Sequence, residues 1–450
     1  MICNMLSGKY HNICMVCDFF YPNIGGVENH IFQLSQCLIE RGHKVVVVTH
    51  SYGNRTGIRH MTNFLKVYYL PMKVFWLQST MPTIFTTLPI LRCIFIREQI
   101  TLVHGHGTCS ALCNDAILHA NTLGIKTVFT EHSLFGFANL GAIVTNKFLE
   151  FTLTNINHII CVSHTSRENT VLRAKIRPEM VSVIPNAVDA SSFKPDPSKK
   201  QKDKITIIVM SRLVYRKGID LLAKILIKIC RQYSDIYFII GGDGPKKVLL
   251  EEICEAYKLY DQVRLLGPVN HEDVRDVLIQ GDIFLNTSLT EAFCIAIIEA
   301  ASCGLQIVST NVGGLPEVLP DDMIYLAEPR VESLVNMIGK AIDDKNNGIT
   351  LSPHECHDRV KNMYNWRNIA KRTERVYKLA FDMPHSDIYQ RMERYLARGP
   401  VAGLIFCYVA LINCLILALI EWIRPKENID TVPNFRAGNI KSMERNKDPN

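Results

Sequence analysis

Dense basic blocks are missing from this sequence: 50 Lys and Arg against 43 Asp and Glu leave a formal charge of +7 spread over 450 residues. A nucleic-acid binder concentrates its cations on one face, so that class of function is disfavoured. Also missing is an N-terminal basic-then-apolar leader, which places residues 1 to about 395 in the cytosol as an expectation. Cysteine is plentiful, but pairing is not. The count of 15 is odd and most thiols lie inside apolar runs, the usage of reduced core residues. Cys14 and Cys17 form a Cys-x-x-Cys within an expected strand, with no second pair at zinc-ligand spacing, so no metal or redox role is expected of them. Charged residues at 21% against 48% hydrophobic exclude a disordered chain, and the length predicts two to three domains.

Long hydrophobic runs are scarce with one exception. Residues 401–420 carry no charge and are broken only by Gly403 and Asn413. At about 1.5 Å per residue they span a hydrocarbon core of roughly 30 Å, which predicts a transmembrane helix over 401–422 followed by a polar tail, 423–450. The alternative is a buried core helix. Arg391, Arg394 and Arg398 before the run agree with a cytosolic N-terminal side, whereas Arg424 and Lys426 after it weaken the bias.

Ahead of that run the chain alternates short β-branched stretches with helical ones. Strands are expected at 13–16, 45–49, 101–103, 127–129, 159–162 and 181–184. An amphipathic helix between the first two carries Val27, Ile31, Leu34 and Leu38 on one face and ends at Gly42. The polar, Pro-containing stretch 191–204 reads as a linker between an α/β domain over 11–190 and a second over 205–370. Strands in the second are expected at 205–210, 236–240, 263–266, 283–285, 307–309 and 323–326, with a helical tail over 371–398. Near-continuous apolar strands alternating with helices imply parallel sheets covered on both faces: two tandem doubly wound, Rossmann-like domains with a cleft between them.

In such sheets ligands bind beyond the carboxyl ends of the strands, so the turns there carry the candidates. Arg212 and Lys217 follow one strand, and a helix expected to start near Gly218 brings its positive end to the same place; together they suit a diphosphate. Two solvated surface cations are the alternative. No Asp-x-Asp pair occurs anywhere in the chain, which favours fixed cations and dipoles over a divalent ion for holding such a group. In EAFCIAIIE, Glu291 is expected just before a helix and Glu299 about two turns, or roughly 12 Å, along it, a span that suits a ligand with a sugar at one end and a ribose at the other, although two Glu eight apart also occur by chance. Glu299 lies among apolar residues, where a carboxylate is costly without hydrogen bonds. Gly242 belongs to the glycine-rich turn GGDGP. In the first domain Gly25 and Gly26 allow close approach to a phosphate or make a tight turn, and His132 follows a strand, able to bond a sugar, relay a proton or hold the turn backbone. His104 and His106 lack a third ligand at sensible spacing and read as polar lining. Residues 68–100 are apolar and aromatic with interspersed cations, either buried helices or a surface that dips into a bilayer.

The segments DFFYPNIGGVENHIFQLSQCLIERGHKV, FTEHSLFGFA, VSVIPNAVD, SRLVYRKGIDLL, FIIGGDGPK, LNTSLTEAFCIAIIEAASCG and VGGLPEVLP resemble the retaining GT-B glycosyltransferases of the Glu-x7-Glu kind over nearly the whole chain. Within them the chain is similar to the branch that begins glycosylphosphatidylinositol anchors. That resemblance implies an enzyme that needs no metal, takes UDP-GlcNAc as donor and phosphatidylinositol as acceptor, and works with other subunits on the cytosolic face of the endoplasmic reticulum membrane. It implies that Arg212 and Lys217 bind the UDP diphosphate and that Glu299 accepts the ribose hydroxyls. Glu291, with the backbone of Ala292, Phe293 and Cys294, would hold the GlcNAc hydroxyls; Gly26 would approach the diphosphate and His132 the transferred sugar. Two positions depart from the pattern, Glu131 standing for Asp and Cys17 for Ser, neither in a donor motif. Residue chemistry alone leaves open another nucleotide-sugar or lipid acceptor, or a non-catalytic scaffold that keeps the fold.

Overall fold

The computed structural model describes residues 10–23, 25–76, 78–136, 140–201 and 203–433. The chain divides into two compact units: one of Met1–Val162, Ser166–Ile184 and Ile369–Asn450, the other of Ser163–Thr165 and Pro185–Asn368.

The first unit is built on an eight-stranded sheet. Its strands are β1 (Asn12–Val16), β2 (Lys44–His50), β3 (Gly57–His60), β4 (Lys66–Leu70), β7 (Leu102–His106), β8 (Lys126–Glu131), β9 (His158–Cys161) and β10 (Val181–Val183), in the order β10-β9-β8-β7-β1-β2-β4-β3. A separate hairpin pairs β5 (Val74–Trp76) with β6 (Ser79–Thr80). All neighbours in the sheet run parallel except β3, which lies antiparallel on β4 and covers that edge. Runs such as Val45–Val48 are buried throughout because helices cover both faces. Helix α1 (Gly26–Glu40) turns Ile31, Leu34 and Leu38 inward, as their spacing requires. Helices α2 (Leu88–Arg97), α3 (Ala111–Thr122), α4 (Leu140–Thr154) and α5 (His164–Ala174) complete the crossovers.

The second unit carries a parallel six-stranded sheet of β11 (Ile205–Met210), β12 (Ile236–Gly241), β13 (Val263–Gly267), β14 (Ile283–Asn286), β15 (Gln306–Thr310) and β16 (Ile324–Ala327), ordered β13-β12-β11-β14-β15-β16. Helix α6 (Ile219–Gln232) seats Ile219, Leu222, Ile225, Leu226 and Ile229 on Ile207, Val209 and Phe238. Around the sheet stand α7 (Lys247–Ala256), α8 (His271–Leu278), α9 (Ile295–Ser302), α10 (Val331–Asn346) and α11 (Pro353–Met363).

One expectation changes here and two gain detail. The stretch 191–204 falls inside the second unit rather than between domains: Phe193 is buried and its carbonyl accepts from Ser302 Oγ at 2.8 Å. Polar composition described its solvent side and missed that anchor. The helices after Asn368 are part of the first unit. Helix α12 (Trp366–Asp382) brings Tyr377 to His104 and Glu374 to Arg41 and His43. Residues 68–100 hold the end of a strand, a hairpin and α2; Leu88, Leu91, Ile94 and Phe95 of α2 are buried, while Phe75 in the hairpin is 69% exposed.

Helix α14 (Ala402–Ile423) is long and apolar enough to cross a membrane. One face packs on the first unit after α13 (Ile388–Leu396): Phe406, Cys407 and Ala410 cluster with Leu118, Phe151 and Tyr395. Asn413 Nδ2 donates to Thr122 Oγ1 at 2.8 Å, and Glu421 pairs with Arg92. The other face, with Leu404, Ile405, Tyr408, Leu411, Leu415 and Leu419, is exposed, which is what a lipid-facing stripe requires. Part of the polar tail, 434–450, lies outside the described residues.

Candidate active site

Each sheet has a switch point where neighbouring parallel strands lead away in opposite order, and in the second unit Arg212, Lys217 and Glu291 follow the strands at that point. In the second unit the switch lies between β11 and β14, so the loops that follow these strands open side by side. Backbone hydrogen bonds stitch them: Leu289 N–H donates to Arg216 O at 2.9 Å, and Thr287 Oγ1 donates to Lys217 O at 2.8 Å. The approach is close enough that residue 218 must be glycine. Its φ is +68°, and a Cβ there would lie 1.8 Å from the Thr287 carbonyl oxygen. Gly242 (φ +135°) plays the same part for the β12 turn, where a Cβ would lie 1.8 Å from Ser211 O.

Across this seam Lys217 Nζ forms an ion pair with Glu291 Oε1, and Ser288 Oγ lies 3.4 Å from the same oxygen. Burial alone would lower the Lys217 ammonium; the adjacent carboxylate outweighs it and holds the lysine protonated above its ordinary range. Arg212, on the same loop, is exposed. Its side chain makes no hydrogen bond or ion pair among the described residues, and it adds a second positive charge felt at Lys217. Helix α6 begins at Ile219, directly after Gly218, so its N-terminus belongs to this loop as expected. The structure therefore gathers Arg212, Lys217, Gly242 and Glu291 around one switch point.

Glu291 precedes the helix as expected, but Glu299 does not lie two turns along it. Helix α9 starts at Ile295 with Cys294 at its N-cap, so Glu291 stands in the preceding loop and Glu299 only about one turn inside. The helical ruler failed because residues 291–294 are held outside the helix by the neighbouring loop: Gly314 N–H donates to Glu291 O at 2.9 Å. The consequence is chemical. The amides of Ala292, Phe293 and Cys294 donate to no protein acceptor among the described residues, which leaves a row of N–H donors at a helix N-terminus. Glu299 is 8% exposed, and its carboxyl has no hydrogen-bond or ionic partner among the described residues. Burial raises it to about 7. A carboxylate kept in such a place is a ready acceptor for ligand hydroxyls. Ser288, fully buried and bonded to Asn286 Oδ1 at 2.9 Å, orders the loop beneath Glu291; the polar run after the strand DIFLN was its only sign in the sequence.

In the first unit the switch lies between β1 and β7. Asp18, just after β1, accepts from Thr80 Oγ1 at 2.9 Å and from Ala111 N–H at 2.8 Å, tying the hairpin to the start of α3. Its burial pushes its carboxyl up. Gly26 is the first residue of α1 and Gly25 its N-cap. Gly25 is extended, and the Glu28 carboxylate of the first turn folds back over it, its Oε2 2.4 Å from where a Cβ would stand. Glu131 is fully buried and saturated by Thr108, by Arg173 at 3.3 Å, and by the amides of His132 and Ser133 at 3.0 and 3.2 Å. It holds the turn that presents His132.

His132 itself belongs to a cluster. His106 Nδ1 lies 3.2 Å from His132 Nε2, His30 completes a trio, and His104 stacks on His106 with ring centroids 4.3 Å apart. The sequence showed no third ligand beside His104 and His106 because His30 lies on α1 and His132 after β8, remote in chain order. Folding supplies both.

Known families cover much of this geometry. Residues 50–139 match the family described as PIGA (GPI anchor biosynthesis), and residues 191–366 match glycosyl transferases group 1. A Homo sapiens protein named as a subunit of phosphatidylinositol N-acetylglucosaminyltransferase is 58% identical over 94% of this chain and 87% of its own length. The chain belongs to that family. The Arabidopsis thaliana member is 54% identical over 94% of each chain, and the Schizosaccharomyces pombe gpi3 member is 50% identical over 96% of this chain and 95% of its own. The stretch of this family member that matches group 1 transferases holds every residue assigned above to the second-unit site, from Arg212 to Glu299. Among solved structures, sucrose-phosphate synthase from Thermosynechococcus elongatus superposes with a TM-score of 0.69 at 20% identity, over 82% of this chain and 99% of its own. A Rickettsia africae glycosyltransferase does so with 0.67 at 18%, over 84% and 100%. The fold of this family member is GT-B, and its class is glycosyltransferase.

Proposed function

We propose that this chain transfers N-acetylglucosamine from UDP-GlcNAc to the inositol 6-hydroxyl of phosphatidylinositol, with retention of configuration, as the first step of glycosylphosphatidylinositol anchor synthesis. The observation that carries the reading is the constellation at the β11/β14 switch point: Arg212, protonated Lys217 paired to Glu291, and partnerless Glu299, in a chain 58% identical to a protein named for that transferase. Arg212, Lys217 and the N-terminus of α6 hold the diphosphate. Glu299 accepts the ribose hydroxyls. Glu291 and the amides of Ala292, Phe293 and Cys294 hold the sugar hydroxyls.

As the anomeric carbon–oxygen bond breaks, negative charge grows on the departing phosphate, and fixed cations stabilise it most at that moment. The inositol oxygen bonds to the same face of an oxocarbenium-like carbon and gives its proton to the departing phosphate oxygen. Because the cations already neutralise the diphosphate, magnesium or manganese there is not required. Gly26 and His132, on the first unit, enter this reading through the resemblance. The apolar helix α14 fits an anchor in the endoplasmic reticulum membrane with the catalytic units cytosolic, and the relatives' designation as subunits supports a multi-subunit enzyme.

Microsomes in which Arg212→Ala or Glu299→Ala replaces the native chain at equal protein level should transfer little labelled GlcNAc to phosphatidylinositol. Full-rate transfer by either would refute the donor assignment. A panel of nucleotide-sugars in the same assay distinguishes another donor, and absence of UDP binding by the intact complex would mark a scaffold.

A further inference from the structure

The first unit brings together three imidazoles that the glycosyl transfer above does not use as a group. His30 comes from α1, His106 from the end of β7 and His132 from the turn after β8, and one ring nitrogen of each lies within 4.8 Å of the other two. The closest pair, His106 Nδ1 and His132 Nε2, is 3.2 Å apart. Metal–nitrogen bonds of about 2.0 to 2.1 Å in a tetrahedral site place neighbouring donor atoms about 3.3 Å apart, so that pair already has the spacing of two ligands.

The site is also closed from solvent on the His106 side: His106 is fully buried with its Nδ1 toward His132, while its Nε2, on the far side of the ring, has no hydrogen-bond partner among the described residues. The surroundings are ordered for ligation. His104 stacks against His106, fixed by Thr130 Oγ1 at 2.7 Å and Tyr377 Oη at 2.9 Å, which leaves the His106 ring little freedom to turn.

We propose that His30, His106 and His132 bind one divalent transition-metal ion of the zinc class, which ties α1 to the ends of β7 and β8. Three imidazole donors select zinc, cobalt or nickel over magnesium or calcium, which prefer oxygen. The fourth position opens where His132 is partly exposed. Ligation through Nε2 leaves His132 Nδ1 for a substrate contact, and none of the three ligands is a donor-binding residue of the second unit.

The test uses the full-length chain in its complex, purified in detergent with a histidine-free tag. Elemental analysis should find about one zinc-class ion per chain. After chelation, zinc chloride should restore a lost increment of thermal stability, and cobalt chloride should give the visible absorption of tetrahedral cobalt. The variants His30→Ala and His106→Gln should each abolish the cobalt band while UDP binding by the second unit persists, which keeps failure of this proposal apart from failure of the donor assignment. A native complex that takes up neither zinc nor cobalt in stoichiometric amount would overturn the proposal. So would a cobalt band unchanged in both variants.

Discussion

Glu299 makes the donor assignment testable by pH alone. Its carboxyl is raised from 4.5 to about 7 by burial, and no protein group among the described residues bonds it. If ribose hydroxyls donate to it, the ionised form is the one that binds. Between about pH 6 and about pH 8 the ionised fraction climbs from about one-tenth to about nine-tenths, so affinity should rise about tenfold, or ~1.4 kcal/mol, and then level off. Lys217, raised by its pairing with Glu291, stays protonated across the window, and the diphosphate of UDP-GlcNAc, esterified at both ends, does not titrate there. The ligand-free chain should show the opposite trend. A carboxyl whose folded value is raised favours the folded state most below its unfolded value of 4.5, and that contribution is lost as pH rises through about 7. Isothermal titration of the detergent-purified complex with UDP-GlcNAc, in matched buffers, measures the first effect. Glu299→Gln should remove the pH dependence and hold affinity near the low-pH value. An affinity that is flat from about pH 6 to about pH 8 in the native chain, or a slope that survives in Glu299→Gln, would refute the role given to this residue.

Other substitutions probe the rest of the architecture. Lys217→Met should cut transfer about 10- to 100-fold, since a charge-assisted bond to the leaving phosphate is worth about 1.5–3 kcal/mol, with single-turnover kinetics as the readout. Gly218→Ala forces a side chain into the Thr287 carbonyl at a left-handed residue and should destabilise the second unit by at least about 2 kcal/mol in chemical denaturation. Glu98 is fully buried between Lys44 and Lys66, each 2.8 Å away. Burial alone would raise its carboxyl, but the two lysines and Tyr68 hold it below the ordinary range. Its stabilisation should therefore be present above the unfolded carboxylate value and disappear as pH falls through the lowered folded value. Glu98→Gln should remove that acid sensitivity at a cost of about 2 kcal/mol, read from thermal melts across pH.

Chain order and composition made much of this protein legible. The β-branched runs mark strands because a strand buried on both faces must be apolar along its whole length, and β1, β11 and β15 lie within a residue of expectation for that reason. The recurrence of Val27, Ile31, Leu34 and Leu38 marks α1 by its period. Strand β7 runs past its apolar start to His106, since the two histidines that looked like a turn are buried in the sheet. Strands β3 and β4 escaped because KVYYL sits next to an aromatic region whose apolar character fits helix, sheet or membrane alike. Arg212, Lys217 and Glu291 could be named from their positions after strands, since open parallel sheets present those turns to ligands.

What the sequence by itself determined is local: which stretches alternate, which turns carry charge, which run can enter a bilayer. Tertiary structure decided what is paired across distance. It put Lys217 against Glu291 across 74 positions and started α9 at Ile295, which leaves Glu299 about one turn along it. It anchored 191–204 through Phe193 and laid one face of α14 against the first unit through Asn413 and Thr122. Above all it assembled His30, His106 and His132, whose spacing along the chain shows no ligand pattern because three separate elements deliver them. Periodicity reports burial of an element's own face; only packing tells which partner that face meets.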